Sequence, residues 1–418
     1  MMEYPKIRLL TPIPVELPEG NFIFLQDPNR YTPESVFLPP GVFSVVQFFD
    51  GHRSISDIQR DYHAYYGTRL ATEAIRSVVE QLDQYFLMES PAFHKHRQHL
   101  RHEFAALSIR HSSHQGAAYP DDAAAIIDQF DRFFTHENGP GNVPAPSSSG
   151  EMPCLQAIMA PHIDIKAGGV SFAWAYDALA ASEADLFIIL GTSHVDMQNF
   201  FALTRKGFET PFGVMETESC AVNTLANHLP YDPFEDELIH KYEHSIEFQV
   251  VFLQYWQQKL GNTNTAIKIL PILCGGSLHE TIYDDRSVHD VPHIDESIAA
   301  LQQVLRQHGN ACLIASVDFS HVGTRYGDSR APNAETLALV ERTDRALLST
   351  LERGDYQDFL AQLTHTRNAT QVCGYAPIYT MLRLLEGAKG TLLHYDRTEL
   401  SQGSFVSFAS MVWKTVSA

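Results

Sequence analysis

The sequence of 418 residues lacks any apolar run near the ~18 residues that a membrane-spanning helix requires. Its opening stretch, MMEYPKIRLLTPIPVELPEG, has no basic end followed by an apolar core, so no signal peptide is expected. Both absences lead us to expect a soluble, cytoplasmic protein with no membrane partner. Basic residues are scarce: 30 Lys and Arg face 50 Asp and Glu, a net charge of −20. Such a surface repels a phosphate backbone, which argues against a nucleic-acid partner. Cysteine is rare and odd in number. Cys154, Cys220, Cys274, Cys312 and Cys373 form no CxxC, so free thiols are expected in place of a disulfide framework. Cys154, Cys220, Cys274 and Cys312 read as small buried apolar residues. No Walker loop, GxGxxG, GxSxG or HExxH occurs, so nucleotide binding and zinc-peptidase chemistry have no support.

What is present suits a globular chain of two domains. Residues 1–92 form a first unit. IRLLTPIPVEL and NFIFLQDPN read as short extended segments, and Pro39-Pro40 opens a helix over GVFSVVQFFD. Asp50-Gly51-His52-Arg53 is a turn. Ser54 or Ser56 caps ISDIQRDYHAYYG, which ends at Gly67. Thr72 caps a third helix, with Ile75, Val78, Val79, Leu82 and Phe86 on one face. Short strands followed by three small helices resemble a winged-helix-like α+β module. DGHRSISDI resembles the turn and helix of PqqD-like peptide-recognition domains. That resemblance implies capture of a peptide leader by strand addition; a structural appendage is the alternative. The unit carries more acidic than basic residues, which disfavours DNA. Residues 93–107, FHKHRQHLRHEFAAL, read as a polar linker helix, with metal binding by His94, His96, His99 and His102 as the other reading. The Pro/Gly/Ser run of 136–153 reads as an exposed loop within the second domain.

From residue 155 onward, short apolar runs alternate with amphipathic stretches. LQAIMA, DLFIIL, AIKILPIL and ACLIASV have the character of buried parallel strands. GGVSFAWAYDALAAS, HSIEFQVVFLQYWQQKL and DESIAALQQVLRQHG read as helices between them. A late helix and two strands, TLLHYDRTEL and GSFVSFASMVW, close the chain. The fold class is therefore α/β.

Polar residues follow the strands. LQAIMA runs into His162, DLFIIL into His194, and ACLIASV into Asp318 and His321. Ligands of open α/β sheets bind at the carboxyl ends of strands, so these three histidines are expected in one crevice. Cys373 precedes a predicted helix, where the helix dipole should lower a thiol pKa and favour a metal ligand or nucleophile. Glu243-His244 opens another helix. There His244 and Glu247 form a metal or acid–base pair, or Glu243 simply suits the helix dipole.

Seven stretches together resemble one family. SSHQGAAYP (112–120), APHIDIKAGG (160–169), LGTSH (190–194), EHSIEFQ (243–249), ILPILCGG (269–276), SVDFSH (316–321) and VCGYAPI (372–378) follow the order of the Memo family, or AmmeMemoRadiSam system protein B, across 108–418. The resemblance implies an α/β/α sandwich similar to class III extradiol dioxygenases. Those enzymes hold non-haem iron with two histidines and a carboxylate; in the Memo family a cysteine takes the third place. Carried over, His162, His194 and Cys373 become metal ligands. His321, with Asp318 beside it, matches the acid–base histidine next to the metal; the chemistry agrees, since Asp318 would orient it by accepting its second N–H. Glu243 and His244 match a polar wall that joins them as catalytic candidates. A thiolate softens the donor set, so iron is expected first, with copper and zinc as competitors. Two functions follow. One is a dioxygenase-like, metal-dependent redox or oxygen-using enzyme acting on a small molecule or peptide. The other is a non-catalytic metal- or peptide-binding scaffold working with a radical-SAM partner. The chain departs from the family's PHAGY at Pro161-His162-Ile163-Asp164, where Asp164 is a fourth ligand or a helix cap.

Overall fold

The computed structural model describes residues 2–145, 155–179, 182–261, 267–401 and 403–414. Cys154 and residues 146–153 of the Pro/Gly/Ser run lie outside the described residues. The chain divides into two units, Met1–Ala106 and Leu107–Ala418. Among the described residues no helix is long and apolar enough to cross a membrane.

In the first unit, β1 (Thr11–Leu17) and β2 (Gly20–Gln26) form an antiparallel hairpin, and β3 (Val36–Leu38) pairs with β2. Helix α1 (Pro40–Val46) starts on the proline pair. Helix α2 (Ile55–Tyr66) opens with a capping box between Ser54 and Asp57 and closes on Gly67, which settles the cap in favour of Ser54. Helix α3 (Thr72–Gln84) departs from expectation. Thr72 is its first residue, and Ala71 occupies the cap position with no side-chain bond. Ile75, Val79 and Leu82 are buried, whereas Phe86 lies past the helix end in the left-handed region (φ 57°) and stacks on His96 at 3.9 Å. Helix α4 (Pro91–Ala105) carries the histidine tract. His94 faces Glu89 and His99 faces Glu103, and no metal-type cluster among the described residues includes them.

The second unit is built on one large sheet and carries a small three-stranded one. Its elements are β4 (Ile109–Arg110), α5 (Ala123–Phe134), β5 (Leu155–Ala160), α6 (Ile165–Leu179), β6 (Leu186–Thr192), β7 (Phe201–Leu203), β8 (Gly207–Thr210), β9 (Gly213–Met215), α7 (Ser219–His228) and α8 (His244–Lys259). There follow β10 (Lys268–Cys274), α9 (Leu278–Tyr283), α10 (Ile294–Gln307), β11 (Ala311–Ser316), β12 (Asp318–Gly323), α11 (Ala334–Arg353), α12 (Tyr356–Thr366), α13 (Tyr375–Leu384), β13 (Gly390–Ser401) and β14 (Ser404–Lys414). The strand order is β12-β14-β5-β11-β6-β10-β7, with β13 paired to β14. Strands β5, β11, β6 and β10 run parallel, as their apolar runs require. Side chains alternate between two buried faces. Met159, Ile188, Leu270 and Leu313 pack with α7 and α9–α13, while Ile158, Phe187, Ile269 and Ile314 pack with α5, α6 and α8. The result is an α/β/α sandwich. SVDFSH, read as the loop after a strand, is itself mostly the edge strand β12, antiparallel to β14.

Candidate metal centre

Two donors stand where parallel strands end. His162 follows β5 by one residue past Pro161, and His194 follows β6 through Ser193. The third, Cys373, sits on a strap, residues 367–373, that leads into α13. One ligand atom from each of the three falls within 4.8 Å of the others. Cys373 Sγ is 3.3 Å from His162 Nε2.

Each imidazole has one ring nitrogen already engaged. His162 Nδ1 is 3.0 Å from the Ser316 carbonyl on β11, and an N–H donated there leaves Nε2 with a free lone pair. His194 Nδ1 lies 3.1 Å from both oxygens of Glu243. This pattern, one nitrogen tied to a carbonyl or carboxylate and the other aimed inward, is what a metal-binding histidine requires. With an adjacent thiol, the donor set fits a transition-metal ion.

Glu243 does more than orient His194. It caps α8, accepting from His244 N at 2.8 Å and Ser245 N at 2.9 Å, and it also accepts from His194 N at 3.0 Å. Burial pushes its carboxyl up, but the charges of His194 and His244 outweigh that and hold it well below the usual carboxylate range. His194 shifts the other way: burial lowers it, and Glu243 raises it well above the ordinary value. His194, Glu243 and His244 are close enough to form a second ligand group. With its oxygens committed to these N–H donors, however, Glu243 is a bridge between two imidazoles. His244 stacks on His194 with ring centres 4.6 Å apart and meets the edge of His162.

The Asp318–His321 pairing is corrected. Asp318 Oδ1 accepts the His162 backbone N–H at 3.0 Å, and Oδ2 lies 3.6 Å from His162 Nε2. His321 instead directs Nδ1 to the carbonyls of Phe319 (3.0 Å) and Gln371 (3.2 Å). With Nδ1 taken up by these carbonyls, the ring donates no N–H to the carboxylate three residues earlier. Burial raises Asp318 to about 7 and lowers His321 to about 4. His321 is therefore neutral near pH 7, with Nε2 as an acceptor. The expectation for Cys373 is also revised: burial raises its thiol pKa, outweighing the influence of His194. Asp164 is exposed and outside the ligand groups; it accepts from Lys166 N at 2.8 Å, so it caps α6. Cys220, expected to be buried, is exposed on α7, whereas Cys274 and Cys312 are buried.

His162, His194 and Cys373 line one cavity of about 940 Å³, together with His244, Asp318 and His321. Residues 110–412 match the family model of Memo-like proteins. The chain belongs to the Memo family. It is 27% identical over 400 residues to a MEMO1 family protein of Aquifex aeolicus (strain VF5), covering 95% of this chain and 97% of that protein. It is 29% identical over 318 residues to a MEMO1 family protein of Thermococcus kodakarensis (73% of this chain, 99% of that protein). It is 28% identical over 293 residues to one of Methanothermobacter thermautotrophicus (69% and 92%). The Aquifex protein thus matches nearly the whole chain, including most of its first unit. The other two are matched almost end to end by less than three quarters of it.

The Memo cavity has walls that sequence reasoning passed over. His114, within SSHQGAAYP, lines it beside Phe248, and Arg325 and Tyr326 line it near His321. The signal for His114 was the histidine of SSHQGAAYP, a stretch not attached to a strand of the main sheet. Glu247 does not pair with His244. It lies buried under the 110–119 segment, accepting from Arg110, from Ser113 N and Oγ, from His114 N and from Tyr119 Oη. Arg110 also donates to the carbonyls of His240 and Glu243, both at 2.9 Å. This lock fixes the start of α8, and with it the Glu243 bridge.

Proposed function

We propose that the Memo domain holds one transition-metal ion through His162, His194 and Cys373. Iron is the first choice, with copper and zinc competing. We further propose that it serves redox or oxygen chemistry on a small molecule or peptide in the cytoplasm. The supporting observation is the convergence of the thiol with two imidazoles whose other nitrogens are already committed. When bound, such an ion supplies a Lewis-acidic or redox-active centre with positions open to the cavity. The chain's own residues do the rest. Glu243 holds the His194 ring. Neutral His321 presents Nε2 to accept a proton from a substrate hydroxyl. Phe248 and Tyr326 contribute apolar walls that limit water.

The test is metal content by mass spectrometry after anaerobic purification without a histidine tag. About one iron or copper per chain, lost in His194→Ala and Cys373→Ser, supports the reading and leads to an oxygen-uptake screen. Metal unchanged in both variants, or none at all, overturns it. Zinc in place of iron moves the reading toward hydrolytic or structural use.

For the first unit we propose capture of a peptide leader. Within its three-stranded sheet β1 is paired on one side only, the arrangement that strand addition uses. On the alternative, non-catalytic reading, a radical-SAM partner protein acts on the peptide and the Memo domain serves as a metal- or peptide-binding scaffold. Titration of the full-length protein with short peptides encoded beside it checks this; no binding by any of them counts against it.

A further inference from the structure

A buried carboxylate that the proposed chemistry does not use lies behind the strap. Asp344 on α11 is 0% exposed and faces hydroxyls where an ion pair would be expected. Ser320 Oγ is 2.6 Å from its Oδ1, and Ser407 Oγ (2.5 Å) and Tyr395 Oη (2.8 Å) converge on Oδ2. A hydroxyl has one proton to give. Ser320 Oγ also donates toward Thr370 Oγ1 at 2.8 Å, so one hydroxyl is shared between the carboxylate and the strap. Thr370 lies on the strap. Ser320 thus links the strap to Asp344.

The strap requires such an anchor. Arg367 (φ 47°), Asn368 (φ 46°) and Gln371 (φ 55°) all sit in the left-handed region, which persists only when surrounding contacts impose it. The Asn368 amide closes the loop on Val372 N at 2.8 Å and Val372 O at 3.0 Å. The strap in turn holds His321: Thr370 O accepts its backbone N–H at 2.8 Å, and Gln371 O faces its Nδ1.

We propose that Asp344 is a positioning residue for the metal centre. Through Ser320 and Thr370 it sets the strap, and so places both the Cys373 thiol and the His321 ring. The proposal rests on the reading of Cys373 as a ligand.

The test uses the full-length chain loaded anaerobically with Co²⁺, read by thiolate-to-cobalt charge-transfer absorption and by chelator competition for affinity. The wild type should show the charge-transfer band and Cys373→Ser should lose it; a wild type without the band means the ligand reading has failed. Given that band, Thr370→Val, Ser320→Ala and Asp344→Asn should weaken Co²⁺ binding by about 10- to 100-fold and diminish the band. Thr370→Ser, which keeps the hydroxyl, should restore both. Thr370→Val leaves the three donors to Asp344 in place, so it decides the matter where Asp344→Asn does not fold. Wild-type affinity and band in folded Thr370→Val would sink the proposal.

Discussion

The centre draws its donors from two kinds of structure. His162 and His194 stand at the ends of neighbouring stretches of a parallel sheet, with β11 between β5 and β6. Their partners, the Ser316 carbonyl and the Glu243 carboxylate, belong to the sheet and to a helix capped against it. Cys373 stands on a strap of left-handed residues held by side chains far away in sequence. The comparison teaches that the imidazoles inherit their positions from regular backbone. The thiol depends on a set of contacts that no regular element imposes. Damage to the sheet-side scaffold should therefore appear as lost stability, and damage to the strap, or to a side chain that touches a donor, as lost metal affinity.

The largest expected effect is on the sheet side. Arg110→Ala leaves the fully buried Glu247 carboxylate without its cation and should cost about 3–5 kcal/mol in denaturant unfolding. A variant as stable as wild type would show that the lock contributes little. Next is Glu243→Gln, which replaces the charged partner of His194. Metal affinity should fall by about 10- to 100-fold in chelator competition.

Two glycines give the sharpest contrast. A Cβ at Gly191 would meet Ile246 Cγ1 at 2.6 Å and Ser245 Oγ at 2.8 Å, between two rigid elements. Gly191→Ala should therefore destabilise by about 1–3 kcal/mol in thermal or denaturant unfolding. A Cβ at Gly374 would meet Val317 Cβ at 2.4 Å and the Asp318 carbonyl at 2.9 Å, so the strap has to shift. Gly374→Ala should lower Co²⁺ affinity more than it lowers stability. The reverse ranking would break the comparison.

The effect smallest at neutral pH concerns acid stability. Burial holds His240 down to about 3, from an ordinary value of 6.5. The unfolded chain takes up a proton there that the native chain refuses. The contribution is therefore intact above pH 6.5 and is lost progressively as pH falls toward 3. In that window His240→Gln should reduce the slope of unfolding free energy against pH by up to one proton, about 1.4 kcal/mol per pH unit. An unchanged slope would count against the shift.

Much of this was legible beforehand. Apolar runs bounded by turns marked β5, β6, β10 and β11, and the residues just past two of them marked His162 and His194. Capping chemistry marked α2 through Ser54 and Gly67. The failures share a cause. Asp318 and His321, three residues apart, were read as partners, but Asp318 accepts the His162 backbone N–H while His321 Nδ1 meets the carbonyls of Phe319 and Gln371. At the start of α8 two readings stood open, and the structure takes the cap: Glu243 accepts from His244 N and Ser245 N, while Glu247 turns to Arg110 and Tyr119 on a segment more than a hundred residues away. Asp344 drew no notice because nothing beside it in sequence hints at Ser320, Ser407 or Tyr395.

What the sequence determined by itself was the layered α/β architecture, the family, and the two histidines that a parallel sheet must deliver to one edge. Those follow from short-range rules: alternation, capping and the polarity of strand ends. Only the tertiary structure decided which carboxylate serves which histidine, that Asp164 caps α6, and how the strap brings Cys373 within 3.3 Å of His162 Nε2. Hydrogen bonds of buried polar groups are satisfied by whatever the fold brings close, and chain spacing carries no record of that choice.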